Sequence, residues 1–255
     1  MSGSPQFPKT IRILRHGQAL HNVQRGYPHR DPPLTEQGFA EAAFASKELS
    51  NNLPELVICS PMTRTIQTAL TAIPSLSSTN TSNSVSGSES SNPRLEIWPD
   101  LREAHDAICN LGVPKTQLAN AFQAQIALDL TRCREEWDYE AHSEEAATIR
   151  ALRVREELST RPENNILLVT HRAFIKYLVD SSRFENGEMR SFILQSDTLL
   201  LPAPSTHQMV SESSDPDSSG SSQMEYVNVR KRCSPIGNSI KTYVRSQMPQ
   251  RACGP

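Results

Sequence analysis

Residues 10–22 read TIRILRHGQALHN, and this stretch decides the fold class. The apolar residues that open it form a run long enough for a buried strand, which breaks at Arg15, His16 and Gly17. Ligand sites in open α/β sheets lie just beyond the carboxyl ends of strands. A cation, an imidazole and a glycine there suit a phosphate group, because they supply charge, a nucleophile and close backbone approach. Taken alone, an Arg and a His after a strand more often form a solvated loop than a site.

The same arrangement recurs along the chain. Apolar runs predict strands at Leu56–Cys59, Leu95–Trp98 and Asn165–Thr170. The polar residues that follow these strands are Arg64, Glu103 and His171. Because the carboxyl ends of parallel strands meet at one edge of a sheet, these residues are expected to converge with Arg15 and His16.

Arg64 has an unusual predicted position. Ser60 and Pro61 read as the N-cap and first residue of a helix that runs to about Ile73. Arg64 then falls in the first turn, where a cation opposes the helix dipole. The placement makes sense if an anion binds there, and a surface arginine is the alternative.

The remaining segments complete an alternation of strands and helices. Thr35 is a good N-cap for a helix through about Leu49, and Ser143 is a possible cap for one from His142 to about Arg161. A further helix is predicted from Lys115 to about Cys133, and one or two edge strands within residues 192–201. In the helix after Ser143, the apolar stripe Ile149, Leu152 and Leu158 predicts core contacts. The expected fold is an α/β three-layer sandwich, a mostly parallel sheet with helices on both faces.

Serine-rich segments set the expected domain limits. Residues 75–93 are predicted to be a low-complexity insertion in a domain that spans residues 1–204. Residues 205–255 are predicted to be a serine-rich linker and C-terminal tail. The loop at residues 23–33 carries Arg25, Tyr27, His29 and Arg30, which are expected either to line a substrate pocket or to be solvated.

Composition excludes several classes of function. A formal net charge of −2 over 255 residues disfavours nucleic-acid binding and attraction to anionic membranes. The five cysteines are odd in number and lack metal-type spacing, as expected of reduced thiols in an intracellular protein. No signal peptide and no run of about 18 apolar residues is seen, so a cytoplasmic location is expected. No metal-ligand cluster appears, so neither a metal nor a cofactor is expected.

Five motifs in order carry a resemblance to a known family. RHGQALHN, DPPLTEQG, SPMTRTIQTA, LREAH and LLVTHRAF resemble the successive motifs of the histidine phosphatase superfamily, the phosphoglycerate mutase-like group. The similarity spans roughly residues 10–201. More loosely, the chain is similar to fungal and plant mutase-like proteins.

The resemblance implies roles for individual residues. His16 would be the nucleophile that becomes phosphorylated, and Glu103 would donate a proton to the leaving group. The residues that would hold the phosphoryl oxygens are Arg15, Arg64 and His171, assisted by Asn22. Nearby arginines would help to keep His16 neutral, the form in which it can attack.

The resemblance also implies the reaction and leaves alternatives. We expect a phosphatase of a small phosphorylated metabolite, acting without a metal through a phosphohistidine. The alternatives are a phosphomutase and a catalytically silent domain that binds a phospholigand or a partner. The chain lacks the tryptophan-bearing segment of the mutase branch, which favours hydrolysis. Arg172 stands where the family often has glycine, and the oligomeric state stays open.

Overall fold

The computed structural model describes residues 9–77, 92–138 and 142–194, and the backbone alone of residues 195 and 199–202. Most of the predicted insertion, residues 78–91, and the predicted linker and tail lie outside the described residues. Those described belong to the unit Met1–Ala203. None of the helices among them is both long and apolar enough to cross a membrane.

The described strands form one six-stranded sheet. The strands are β1 (Lys9–Arg15), β2 (Leu56–Cys59), β3 (Arg94–Ile97), β4 (Asn165–Thr170), β5 (Met189–Gln195) and β6 (Leu199–Pro202). Their spatial order is β3-β2-β4-β1-β5-β6. The first four are parallel to one another, whereas β5 is antiparallel to both β1 and β6. The predicted mostly parallel sheet is therefore confirmed.

Six α-helices lie within the described residues. They are α1 (Leu20–Val23), α2 (Glu36–Leu49), α3 (Thr63–Ala72), α4 (Lys115–Phe122), α5 (Glu144–Thr160) and α6 (Arg172–Leu178). Short 3-10 turns lie at Pro74–Leu76, Pro99–Leu101 and Ile108–Asn110. The predicted caps of α2 and α5 are confirmed: Thr35 Oγ1 accepts from the Gly38 N–H at 3.1 Å, and Ser143 Oγ accepts from the Ala146 N–H at 3.2 Å.

Helices cover both faces of the sheet, because consecutive strand residues point to opposite sides. On one face, Ile11 and Ile13 pack with the buried sides of α5 and α6. On the other face, Leu14 packs with residues of α2, α3 and α4. Strands buried on both faces read as continuous apolar runs, which is why they could be predicted.

Helix α3 begins later than predicted, at Thr63 instead of Pro61. The Ser60 hydroxyl does not cap it, since it is bonded to His171 Nε2 at 2.8 Å. Asp31 acts at the helix start instead: its carboxylate accepts from the Thr63 N–H at 2.8 Å and from the Thr63 hydroxyl at 2.7 Å. A residue far along the chain therefore sets where this helix begins.

Two other helix predictions are wrong in part. Helix α4 ends at Phe122, well before Cys133, and the chain beyond it is extended enough for Asp129 to bridge to Glu96. In α5, Ile149 and Leu152 are 55% and 47% exposed. The buried stripe of α5 runs instead through small side chains and one cation: Ala147, Arg150, Ala151, Val154 and Leu158.

Two glycines allow a close backbone contact between the loop after β1 and the start of α2. A Cβ on Gly38 would lie 2.0 Å from the Gln18 carbonyl oxygen, and one on Gly17 would lie 2.3 Å from the Gly38 carbonyl oxygen. The Gly17 N–H also donates to Thr68 Oγ1 of α3 at 3.1 Å. The loop that carries His16 is thus fixed against two helices.

This contact makes Gly38→Ala a destabilising change. Helix propensity alone would favour alanine by about 1 kcal/mol. Overpacking typically costs about 1–3 kcal/mol, and here the added Cβ would clash with the backbone of Gln18, which cannot move aside as a flexible side chain could. We expect a net loss of about 1 kcal/mol or more in the free energy of unfolding, measured by urea denaturation. Gln37→Ala, at an exposed position of the same helix, is the control and should change little. Equal or higher stability of Gly38→Ala would contradict the contact.

Candidate active site

Three neighbouring strands end together and bring the candidate residues to one edge. Arg15 is in register with Thr170 of β4, and Cys59 of β2 is in register with Val169. The residues that follow these strand ends are His16, His171 and Ser60. The ring centroids of His16 and His171 are 5.2 Å apart. The predicted convergence at the carboxyl edge is therefore present in the structure.

His16 is buried and oriented by the backbone beside it. Its Nδ1 lies 2.7 Å from the Gly17 carbonyl oxygen, and since a carbonyl only accepts, Nδ1 carries the proton. The Nε2 lone pair is then free in the neutral ring. Burial, and after it the charges of Arg64 and Arg15, hold the pKa of His16 well below its ordinary value. His16 therefore has the form that a nucleophile requires.

Arg64 is fully buried as the second residue of α3. Its guanidinium donates to the Cys109 carbonyl at 3.1 Å, to Asn110 Oδ1 at 3.0 Å and to His171 Nδ1 at 3.2 Å. Burial lowers its pKa, and the Asp31 and Glu103 carboxylates raise it in partial compensation. The predicted position of Arg64 in the first helical turn is confirmed, next to a histidine it was expected to meet.

His171 is also fully buried, and both ring nitrogens are engaged. Nδ1 accepts from Arg64, so Nε2 carries the proton and donates to the Ser60 hydroxyl. Burial and the Arg64 charge hold the pKa of His171 well below its ordinary value. In this arrangement His171 orients Arg64 and Ser60. Ser60 is a residue of the site that the sequence had suggested only as a helix cap.

Arg15 is the last residue of β1, and its Nη1 donates to the Phe184 carbonyl at 2.9 Å. Burial, followed by the charge of Arg172, lowers its pKa to about 10. The residue stays cationic at neutral pH. It therefore adds a second buried positive charge close to His16.

Glu103 lies beyond the Pro99–Leu101 turn, not directly at the end of β3. Its carboxylate accepts from the Phe174 N–H at 3.0 Å and the Ala173 N–H at 3.3 Å, at the start of α6. Arg150 of α5 holds the backbone around it by donating to the Asp100 and Arg102 carbonyls at 2.8 Å each. These contacts place the carboxylate beside the helix that follows His171.

Asn22 is exposed and bonds to the loop after β1 and to Asn186, with no hydrogen bond to the buried cations among the described residues. Its Oδ1 accepts from the Ala19 N–H at 2.9 Å, and its Nδ2 lies 3.1 Å from His21 Nε2. His21 was missed in the sequence. Its ring centroid is 5.9 Å from that of His16, and burial followed by the Arg64 charge lowers its pKa to about 3. The only available signal was its position one residue before Asn22.

The structure also locates the residues whose roles were open. Arg172 is exposed at the start of α6, close enough for its charge to lower the pKa of both Arg15 and His21. In the loop at residues 23–33, Arg25, His29 and Arg30 are exposed. Within the described ranges, no group of three or more His, Cys, Asp or Glu side chains is arranged to hold a metal ion.

The neutral histidines make stability depend on pH. A histidine whose pKa is depressed in the folded state is protonated at a higher pH in the unfolded chain than in the folded protein. Its contribution to the free energy of unfolding is therefore fully present above about pH 6.5 and is lost as the pH decreases. The free energy of unfolding of the wild type should fall between pH 7.5 and 5.5, and in His21→Asn this fall should be smaller by about 1 kcal/mol. Urea unfolding at both pH values measures it. His105→Asn, at an exposed position, is the control; an unchanged pH dependence in His21→Asn would contradict the buried, neutral state of His21.

Comparison with known proteins gives the family. The family model of the histidine phosphatase superfamily (branch 1) matches residues 11–199. A probable phosphatase of Schizosaccharomyces pombe is 30% identical over 132 residues, which cover 50% of this chain and 55% of that protein. Thus the chain spans about half the length of this relative. Phosphoglycerate mutase-like protein 1 of Arabidopsis thaliana is 27% identical over 235 residues, 75% of this chain and 83% of that one.

Among solved structures, the alpha-ribazole phosphatase from Shigella flexneri aligns with a TM-score of 0.49 and 18% identity, covering 76% of this chain and 94% of that one. The family match includes all five motifs that carried the resemblance. It confirms the predicted kind of enzyme, a histidine phosphatase, at the level of the family. The chain belongs to the histidine phosphatase superfamily, branch 1.

Proposed function

We propose that the protein is a phosphoric ester hydrolase that acts on a small phosphorylated metabolite through a phosphohistidine on His16. The observation that carries this proposal is the neutral His16 ring, with its Nε2 lone pair free, beside two buried arginines. The phosphatase-named relative supports hydrolysis, while the mutase-like relative keeps phosphoryl transfer within one molecule as the alternative.

The buried donors support phosphate as the ligand. Arg15 Nε, Arg64 Nε and His21 Nδ1 are buried and have no hydrogen-bond partner among the described residues. A phosphoryl group spreads negative charge over three equatorial oxygens during transfer, and fixed cations supply most of the stabilisation. Arg15 and Arg64 would therefore hold the transferred group. His171 would act through its bond to Arg64, and Asn22 would assist from the rim.

The reaction has two steps. In the first, His16 Nε2 attacks phosphorus, the bond from phosphorus to the leaving oxygen breaks, and the Glu103 carboxyl gives that oxygen a proton. In the second, water attacks the phosphohistidine, Glu103 takes a proton from the water, and the phosphorus–nitrogen bond breaks to release phosphate and neutral His16. No step in this scheme uses a metal ion, and a metal-independent reaction is part of the proposal.

His16→Ala should lower the rate of phosphate release by about a thousandfold or more, because it removes the covalent step. Rapid quenching of the wild-type enzyme with a 32P-labelled substrate should show an acid-labile label on His16. His105→Ala is the control, since that side chain is exposed. Hydrolysis by His16→Ala at a rate near that of the wild type would overturn the assignment. Release of an isomeric phosphoester instead of phosphate would favour the mutase alternative.

Glu103→Gln and Arg64→Ala should have different signatures. Loss of a proton donor slows poor leaving groups such as alkyl phosphates more than an activated nitrophenyl phosphate. Loss of Arg64 removes a contact to the transferred group, so both substrates should lose about 2–4 kcal/mol of transition-state stabilisation. Steady-state kinetics of each variant on both substrates measure the difference, with Asp106→Asn, at an exposed position, as the control for Glu103→Gln. A loss in Glu103→Gln that is independent of the leaving group would exclude Glu103 as the acid.

A further inference from the structure

A groove runs along one side of α6, the helix that begins directly after His171. Its α6 side is formed by Arg172, Ile175 and Lys176, which recur at helical spacing on one face, and by Val179, the residue that follows the helix. The opposite side is the segment 180–184. The cavity has a volume of about 430 Å³. The seven residues of α6 correspond to a length of about 10 Å.

The lining of this groove combines an apolar floor with a positive rim. The floor residues Ile175, Val179 and Phe184 are 3%, 5% and 1% exposed. The cations Arg172, Lys176 and Arg183 outnumber the one carboxylate, Asp180, among the lining residues. Arg183 faces Glu185 at 3.7 Å, whereas Arg172 and Lys176 make no ion pair within the part of the chain that the structure describes. Such a lining suits a ligand with a carbon chain and a negative charge.

The wall opposite α6 is held rigidly. Arg190 of β5 donates to the Ser182 carbonyl, the Ser182 hydroxyl and the Arg183 carbonyl, each at 2.9 Å. Its guanidinium also stacks 4.2 Å from the centroid of the Phe184 ring and bonds to Glu188 at 2.7 Å. Because this wall is already ordered, ligand binding does not have to pay the entropic cost of ordering it.

Two lining residues of the groove, Arg172 and Phe184, lie next to residues of the candidate site. Arg172 directly follows His171 in the chain and lies within electrostatic reach of Arg15 and His21. At the wall, Arg15 Nη1 donates to the Phe184 carbonyl at 2.9 Å. The proposed function would place the leaving group of a substrate held by Arg15 within reach of Arg172.

We propose that this groove selects substrates that carry a second anionic group, a carboxylate or a phosphate, on the leaving-group side, with Arg172 and Lys176 as its binding residues. The inference rests on the proposed function and specifies its substrate class. Arg172 precedes Lys176 by one helical turn, so the two cations can accept anions at different distances from the transferred phosphorus.

A series of matched alkyl phosphates tests the proposal. The probes are ω-carboxyalkyl phosphates with chains of two, four and six methylenes, the α,ω-bisphosphates of the same lengths, and the alkyl phosphates that end in methyl. The wild-type enzyme should show a higher kcat/KM for at least one anionic probe than for its methyl partner, by about tenfold to a hundredfold for one charge-assisted contact. The carboxylate and bisphosphate series distinguish the two kinds of anion.

Arg172→Gln should reduce this preference at least about tenfold, with the change mainly in KM, because the contact binds substrate before the reaction. Lys176→Gln should reduce it most for the longer probes. Arg94→Gln is the control. Arg94 is a 64%-exposed arginine at the start of β3, an edge strand of the sheet, and its replacement should leave the preference unchanged.

Equal kcat/KM values for anionic and methyl probes in the wild type would overturn the groove assignment alone. So would an Arg172→Gln variant that keeps the full preference. No hydrolysis of any probe by the wild type, together with no label on His16, would overturn the proposed function and this inference with it.

Discussion

The burial of two arginine guanidinium groups beside a neutral histidine is the constraint on which the rest of this structure depends. Moving a cation out of water is expensive unless hydrogen-bond acceptors surround it. Arg64 finds three, in the Cys109 carbonyl, Asn110 and His171, and Arg15 finds the Phe184 carbonyl. These acceptors come from segments far apart in the chain. The two arginines can therefore be buried at the site only when those segments pack around them.

The same cations set the chemistry of the histidines. A protonated imidazole would place a third positive charge in a buried space, so burial and Coulomb repulsion both favour the neutral ring. The hydrogen bonds then choose the tautomers: His16 donates through Nδ1, and His171 donates through Nε2. The two histidines thus take different tautomers because their neighbours differ.

Arginines that are absent from the reaction scheme hold the surrounding segments in place. Arg150 crosses from α5 to the carbonyls on either side of Leu101, which fixes the approach to Glu103. Arg190 likewise holds residues 182–184 in place by donating to the Ser182 and Arg183 carbonyls, and the next carbonyl, of Phe184, accepts from Arg15. A planar guanidinium can bond several carbonyls at once, which a single lysine amine does less well. Segments without regular structure are thereby ordered around the site.

The sequence by itself determined the elements whose signals are local. Apolar runs, interrupted in β1 by Arg12, identified β1, β2 and β4. The caps Thr35 and Ser143 marked two helix starts. Both signals are local, because burial on both sheet faces and cap chemistry depend on neighbouring residues. Only the tertiary structure decided the start of α3, the exposure of Ile149 and the place of His21 beside His16. The first two depend on partners distant in sequence: Asp31 supplies the oxygens at α3, and the sheet selects the small-residue face of α5. The third depends on the fold of the loop after β1, which brings His21 beside a residue five positions earlier. Contacts of this kind arise only when the chain folds, so no local pattern could report them.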